Sequence, residues 1–156
     1  MLLQLKNNWQ VCFFVTAALF VFSTFYEPYP LSWLLKILPM LVLISIVMDS
    51  LKEKADKWLV LGLMFSMMGD FILDYFGQSG FIFGLASFFI AHIFYLLFFG
   101  RWHYQLNKLV KATIILVYGI WAMSLIINHL GNLFYPVIAY MLILLLMAFA
   151  ALFANK

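Results

Sequence analysis

The sequence predicts an all-α, polytopic membrane bundle of about six transmembrane helices with both termini cytoplasmic. Three observations predict it. First, 67% of the 156 residues are hydrophobic and only 10% are charged, whereas a soluble domain is nearer half apolar and a quarter charged. Mean hydropathy is +1.08. Second, the apolar residues fall into runs of about 20, the length that crosses hydrocarbon as a helix. Third, Lys and Arg are confined almost entirely to alternate connections between those runs. The composition excludes a water-soluble globule, a disordered segment and a disulfide scaffold. A formal net charge of +3, with few and dispersed basic residues, also argues against a nucleic-acid partner. The expected partner is the lipid bilayer.

The runs lie at about 9–26, 31–48, 58–76, 81–100, 109–127 and 134–154, and together form one transmembrane domain. They are apolar on all sides, so helices that satisfy their own backbone are expected rather than the alternating strands of a barrel. Glu27-Pro28-Tyr29-Pro30 ends the first run with two prolines. Gly77-Gln78-Ser79-Gly80 is a tight turn between the third and fourth, and Asn128-His129-Leu130-Gly131-Asn132 separates the fifth from the sixth. Such short connections make successive helices antiparallel. Pro39 is expected to kink the second helix and open backbone carbonyls to a cavity. The lone Cys12 allows no internal disulfide and reads as a small buried or lipid-facing side chain.

Orientation follows from the basic residues. Lys6 precedes the first run. Lys52, Lys54 and Lys57 lie at the second-to-third connection, Arg101, Lys108 and Lys111 frame the fourth-to-fifth, and Lys156 is last. All fall on one side of a six-crossing arrangement, which is assigned to the cytoplasm of a multi-pass protein of the bacterial inner (plasma) membrane. Trp9, Trp58 and Trp102 mark the cytoplasmic interface, and Trp33, Tyr26 and Tyr29 the outer one. The first segment lacks a clear small-x-small cleavage site and is expected to be retained.

Four ionisable residues lie inside apolar runs: Lys36, Asp70, Asp74 and His92. Each costs at least ~2.5 kcal/mol to insert unless paired or hydrated. Asp70 and Asp74 share one helix face, and Ser66 and Gly62 extend that stripe backwards. Small residues there suit close helix packing. Asp74 is near the helix end and within reach of water. Asp70 is about 9 Å deeper at the standard helical rise and reads as functional. Lys36, at a comparable depth, can snorkel to the interface, pair with Asp70 or hold a lipid phosphate. His92 lies mid-run with Tyr95 on roughly the same face, as are Gly84 and Phe88 at four-residue spacing. It is either an interhelical hydrogen-bonder or functional. One histidine without a second His, Cys or Glu beside it signals no metal site. Tyr140 sits near the depth of Asp70, as packing or as a phenol in need of a partner. His103 and His129 fall in connections.

Ser66-Met-Met-Gly69-Asp70-Phe-Ile-Leu73 resembles the S-x-x-G-D-x-x-L signature of the YhhN family, which includes the lysoplasmalogenases. Phe81-x-x-Gly84-Leu85-x-x-Phe88-x-x-Ala91-His92-x-x-Tyr95 is similar to that family's next helix. Lys36-x-x-Pro39 and Pro136-Val137-x-x-Tyr140 resemble its lysine-proline and proline-valine-tyrosine helices. Family members usually have about eight crossings and a second acidic motif, S-D-x-x-L, on a later helix. No Ser-Asp pair occurs here. The expectation is a chain that lacks the C-terminal part, or a member without half of the family's site.

The resemblance implies hydrolysis of the vinyl ether bond of a lysolipid by acid–base catalysis, without metal or organic cofactor. The catalytic residues would be Asp70 and His92. Lys36, Tyr95, Tyr140 and Ser66 would bind the lysolipid or ether-lipid substrate, and Asp74 is the candidate secondary carboxylate. Two other readings stand beside it: a non-catalytic lipid-binding pseudoenzyme, and a small proton-coupled transporter, since intramembrane Asp and His also relay protons.

Overall fold

The computed structural model describes residues 2–26, 32–49, 56–100 and 108–154. Pro28, Tyr29, Pro30, Lys52, Lys54, Arg101, Trp102, His103, Lys156 and the side chain of Lys6, which carry part of the turn, orientation and interface expectations, lie outside the described residues. The described chain is all-helical. Its α-helices are α1 (Leu2–Ser23), α2 (Ser32–Asp49), α3 (Asp56–Phe76), α4 (Phe81–Phe99), α5 (Leu109–Ile126) and α6 (Phe134–Phe153). Five helical stretches are long and apolar enough to cross a membrane. The one at Lys57–Phe99 holds both α3 and α4. With the family assignment below, this makes the chain a multi-pass membrane protein.

α1 begins seven residues before the apolar run does. Its extra turns contain Leu, Gln and Lys, which are good helix formers and need no hydrocarbon around them. α2 continues as one helix through Pro39, which is buried. Between α3 and α4 a single 3-10 turn, Gly77–Gly80, reverses the chain. Gly77 has φ +54, a left-handed conformation that glycine adopts without steric cost. The two helices then pack antiparallel along their whole length.

Helix neighbours do not simply follow chain order. α2 packs on α1 and α3, α3 on α4, and α4 on α6, while α5 lies against α6. The site described below is therefore built by α2, α3, α4 and α6.

The interior of this bundle is made largely of small and polar residues, with Ile44, Leu63 and Ile143 among them. Ser66, Ser87, Ala91, His92 and Ala150 are buried, as are Gly62, Gly69, Gly84 and Gly119. Large apolar side chains such as Phe14, Phe83 and Val110 face outward, each about 70% exposed (69%, 69% and 70%). Lipid tails are as apolar as these side chains, so no hydrophobic force drives them inward. Close backbone approach and interhelical hydrogen bonds hold membrane helices together instead. Cys12 is exposed on this outer surface, which selects the lipid-facing reading. At three points on the α3–α4 seam a glycine receives a large side chain of the other helix: Gly62 takes Tyr95, Gly69 takes Phe88, and Gly84 takes Leu73.

A β-carbon on Gly69 would stand 2.8 Å from the Phe88 ring. Gly69→Ala is therefore expected to destabilise the protein by about 1–3 kcal/mol, the range for overpacking. Val11→Ala, on the lipid-facing side of α1, should stay within about 0.5 kcal/mol. Unfolding in mixed micelles measures both.

Candidate functional site

The polar stripe on α3 divides between two neighbours. Toward Gly77 its carboxylates meet α2. Nζ of Lys36 lies 3.4 Å from Oδ1 of Asp70, both side chains being 25% exposed. The hydroxyl of Ser32 donates to Oδ2 of Asp74. Ser32 and Lys36 are four apart on α2, and Asp74 and Asp70 four apart on α3. Because one helix ascends as the other descends, each four-residue step brings the next pair into register. The result is a two-rung polar ladder. Of the three readings open for Lys36, the geometry selects the pair with Asp70.

Toward the other end of α3, the stripe meets α4. The hydroxyls of Ser66 and Tyr95 lie 2.9 Å apart. One turn further along, the Tyr95 ring lies over Gly62, where a β-carbon would come within 2.3 Å of it. Glycine at 62 is what lets the ring lie flat enough for its hydroxyl to reach Ser66. Ser87 adds a hydrogen bond from α4 to the carbonyl of Phe65 on α3, 2.7 Å.

His92 is buried one turn before Tyr95. Its Nδ1 is 2.6 Å from the carbonyl oxygen of Phe88. A carbonyl only accepts, so Nδ1 carries a hydrogen, and Nε2 of the neutral ring is left as an acceptor. The imidazole stands edge-to-face with two phenols, Tyr95 at 5.9 Å and Tyr140 at 5.4 Å between centroids. Tyr140 reaches in from α6, in the turn after Pro136. Ser66, Asp70 and Asp74 follow one another at four-residue steps on one face of α3. Lys36, Ser66, Asp70, Asp74, His92, Tyr95 and Tyr140, dispersed over four helices and more than a hundred positions, are thus brought together as two sets of contacts that meet along one face of α3.

The sequence model of the YhhN family matches residues 31–156. The chain belongs to the YhhN family. No curated protein and no solved structure matches it. The match begins just before α2, so the four helices that build the cluster all lie inside the family region.

The YhhN cluster also contains polar residues that sequence reasoning missed. Ser32 and Ser87 sit in apolar runs, and serine there is common enough to draw no notice. Ser32 is four residues from Lys36, and that spacing was the available signal. Among the described residues, no buried side-chain nitrogen or oxygen lacks a hydrogen-bond partner. No three His, Cys, Asp or Glu side chains come together among them. Chemically, the arrangement offers a carboxylate beside an ammonium, two phenols and an imidazole, enclosed by apolar helices that limit water. That set can hold, donate and accept protons around a polar group presented from the lipid.

The Ser66–Tyr95 bond is open to direct measurement. Ser66→Ala and Tyr95→Phe should show a coupling of about 0.6 kcal/mol in a double-mutant cycle, as interhelical hydrogen bonds in membranes do. Purely additive effects would mean the two hydroxyls do not interact.

Proposed function

We propose that this YhhN protein is a membrane-embedded, lysoplasmalogenase-like hydrolase that cleaves the vinyl ether bond of a single-chain lipid. One observation carries the reading: Asp70 of the family's S-x-x-G-D motif is paired with Lys36 on the same face of α3 whose Ser66 meets Tyr95, and Tyr95 and Tyr140 both stand against His92. The chemistry needs a proton donor and an anion in one place. Asp70, paired with Lys36 as a carboxylate in the resting protein, takes up a proton as substrate enters and delivers it to the vinyl carbon remote from oxygen, leaving an oxocarbenium-like cation beside the carboxylate that has just formed. Water attacks the cationic carbon and returns a proton to that carboxylate. The hemiacetal then collapses: its hydroxyl proton passes to the departing glycerol oxygen, and the aldehyde is released. One water is consumed, and Asp70 ends protonated, as it was when the transfer began.

Lys36 holds Asp70 in place and balances its charge in the carboxylate state. Such fixed charges act strongly where water is scarce. His92, with Nε2 as its acceptor, and the Tyr95 hydroxyl orient the attacking water, while Ser66 fixes Tyr95. Tyr140 contacts the polar end of the substrate. Asp74 is a secondary carboxylate, held by Ser32 near the end of α3.

The test is aldehyde release from a vinyl-ether lysolipid by protein reconstituted in liposomes. Asp70→Asn should lower turnover by at least about 10²-fold, the scale of a lost acid–base group. Asp74→Asn should cost much less. Turnover that survives Asp70→Asn would remove Asp70 from the chemistry. Lysolipid binding without aldehyde release would favour the pseudoenzyme, and proton-coupled uptake into sealed vesicles would favour the transporter.

We also infer six crossings with both termini cytoplasmic in a bacterial inner membrane. The clustering of Lys and Arg in alternate connections and the antiparallel α3–α4 reversal at Gly77–Gly80 support this. A cysteine placed at Ser79 should react with a membrane-impermeant thiol reagent from outside intact cells, whereas one placed at Lys108 should not. The opposite labelling would invert the orientation.

A further inference from the structure

Apolar grooves run between the helices among the described residues. One of about 370 Å³ lies along α2 and α3, lined by Ile37, Met64, Met67 and Phe71 among others. Another, about 580 Å³, lies between α5 and α6. The third, about 320 Å³, lies between α4 and α6 and is lined by Leu85, Ala86, Phe89, Ile90, Ala139 and Tyr140 among others. Of these three, the third shares a residue with the polar cluster.

That residue is Tyr140. Its ring forms part of the groove wall and at the same time meets His92 edge-to-face. A half-buried phenol of this kind seeks a polar partner. The groove is therefore apolar along its length and polar at its Tyr140 end, where the phenol stands against the His92 imidazole. Ile90, Ala86 and Ala139 are exposed on its outer side, along the flanks of two helices long and apolar enough to cross a membrane. The α5–α6 groove lies along other residues of α6, Met141, Leu144, Leu145 and Ala148, and the α2–α3 groove is lined by apolar residues alone.

We propose that the α4–α6 groove is the binding site for the hydrocarbon chain of a single-chain lipid, which slides in from the bilayer and places its first polar atoms at Tyr140. The inference rests on the lysolipid reading above and specifies where the chain lies. A volume of about 320 Å³ is at the small end of ligand pockets, which begin at about 300 Å³. It accommodates a single hydrocarbon chain. Ala86 and Ala139 determine how much chain fits, because a larger side chain at either would fill the groove without entering the helix packing.

The experiment uses the full chain in liposomes, with a lysophosphatidylcholine carrying a diazirine on its acyl chain. A two-chain phosphatidylcholine bearing the same diazirine is the comparison. Neither probe has a vinyl ether, so labelling does not depend on hydrolysis. The single-chain probe should label α4 and α6 peptides containing Leu85, Phe89 or Ala139, and unlabelled lysolipid should compete. Ala86→Phe and Ala139→Phe should each reduce that labelling about tenfold, as expected when roughly two methylenes lose their burial. Ala122→Phe, in the α5–α6 groove, should leave it unchanged. Labelling concentrated on Met64 and Met68, equal labelling by the two-chain probe, or indifference to both alanine changes would overturn the proposal. Specific α4–α6 labelling without aldehyde release would leave the groove standing and the hydrolase reading fallen. Aldehyde release with labelling elsewhere would do the reverse.

Discussion

A lysine and an aspartate facing each other between apolar helices constrain everything around them. Placing each charge in the membrane costs about 2.5–3.5 kcal/mol on insertion scales. At 3.4 Å and an effective dielectric of about 20, their attraction is worth about 5 kcal/mol. The two magnitudes nearly cancel, so neither residue is tolerable alone and the pair is tolerable together. This makes the Lys36–Asp70 contact a register pin for α2 against α3. The second rung, Ser32 to Asp74, falls into place one helical turn away because the helices are antiparallel. Sliding α2 by even one residue would break both rungs.

With α2 pinned, the rest of α3 is free to serve α4. The glycines at 62 and 69 admit Tyr95 and Phe88 against the backbone, and the same ring that fills the space over Gly62 delivers its hydroxyl to Ser66. The Phe88 carbonyl fixes the hydrogen on His92. Packing and polar chemistry are thus carried by the same side chains. α6 completes the cluster by contributing Tyr140 against His92. α1 and α5 present mostly large apolar side chains outward and stand further from the polar centre.

Much of this was legible in the sequence, for definite reasons. Helical stretches coincide with apolar runs because hydrocarbon admits no other backbone. Asp70 and Asp74 share a face because they are four apart, and His92 and Tyr95 because they are three apart. The YhhN resemblance, drawn from residues on four helices, is matched by the family's model over 31–156. What spacing could not reveal was which helix each face meets. Runs that are apolar all round carry little directional signal, so nothing in them announced that α4 packs on α6 rather than α5. For the same reason Lys36 retained three readings until its distance to Asp70 was known, and Ser32 and Ser87 passed as ordinary apolar-run serines. The early start of α1, at Leu2, reflects helix propensity extending past the hydrocarbon boundary, which an apolar-run criterion cannot register.

The most direct test of this account is a double-mutant cycle on folding stability with Lys36→Met and Asp70→Asn, read by unfolding in mixed micelles. Lys36→Met alone should be the most damaging change, because it strands a carboxylate among apolar helices. Adding Asp70→Asn should restore much of the loss, giving a coupling of more than about 1 kcal/mol. If the two costs simply add, the pair does not hold α2 against α3, and the ladder on which the site is built would have to be abandoned.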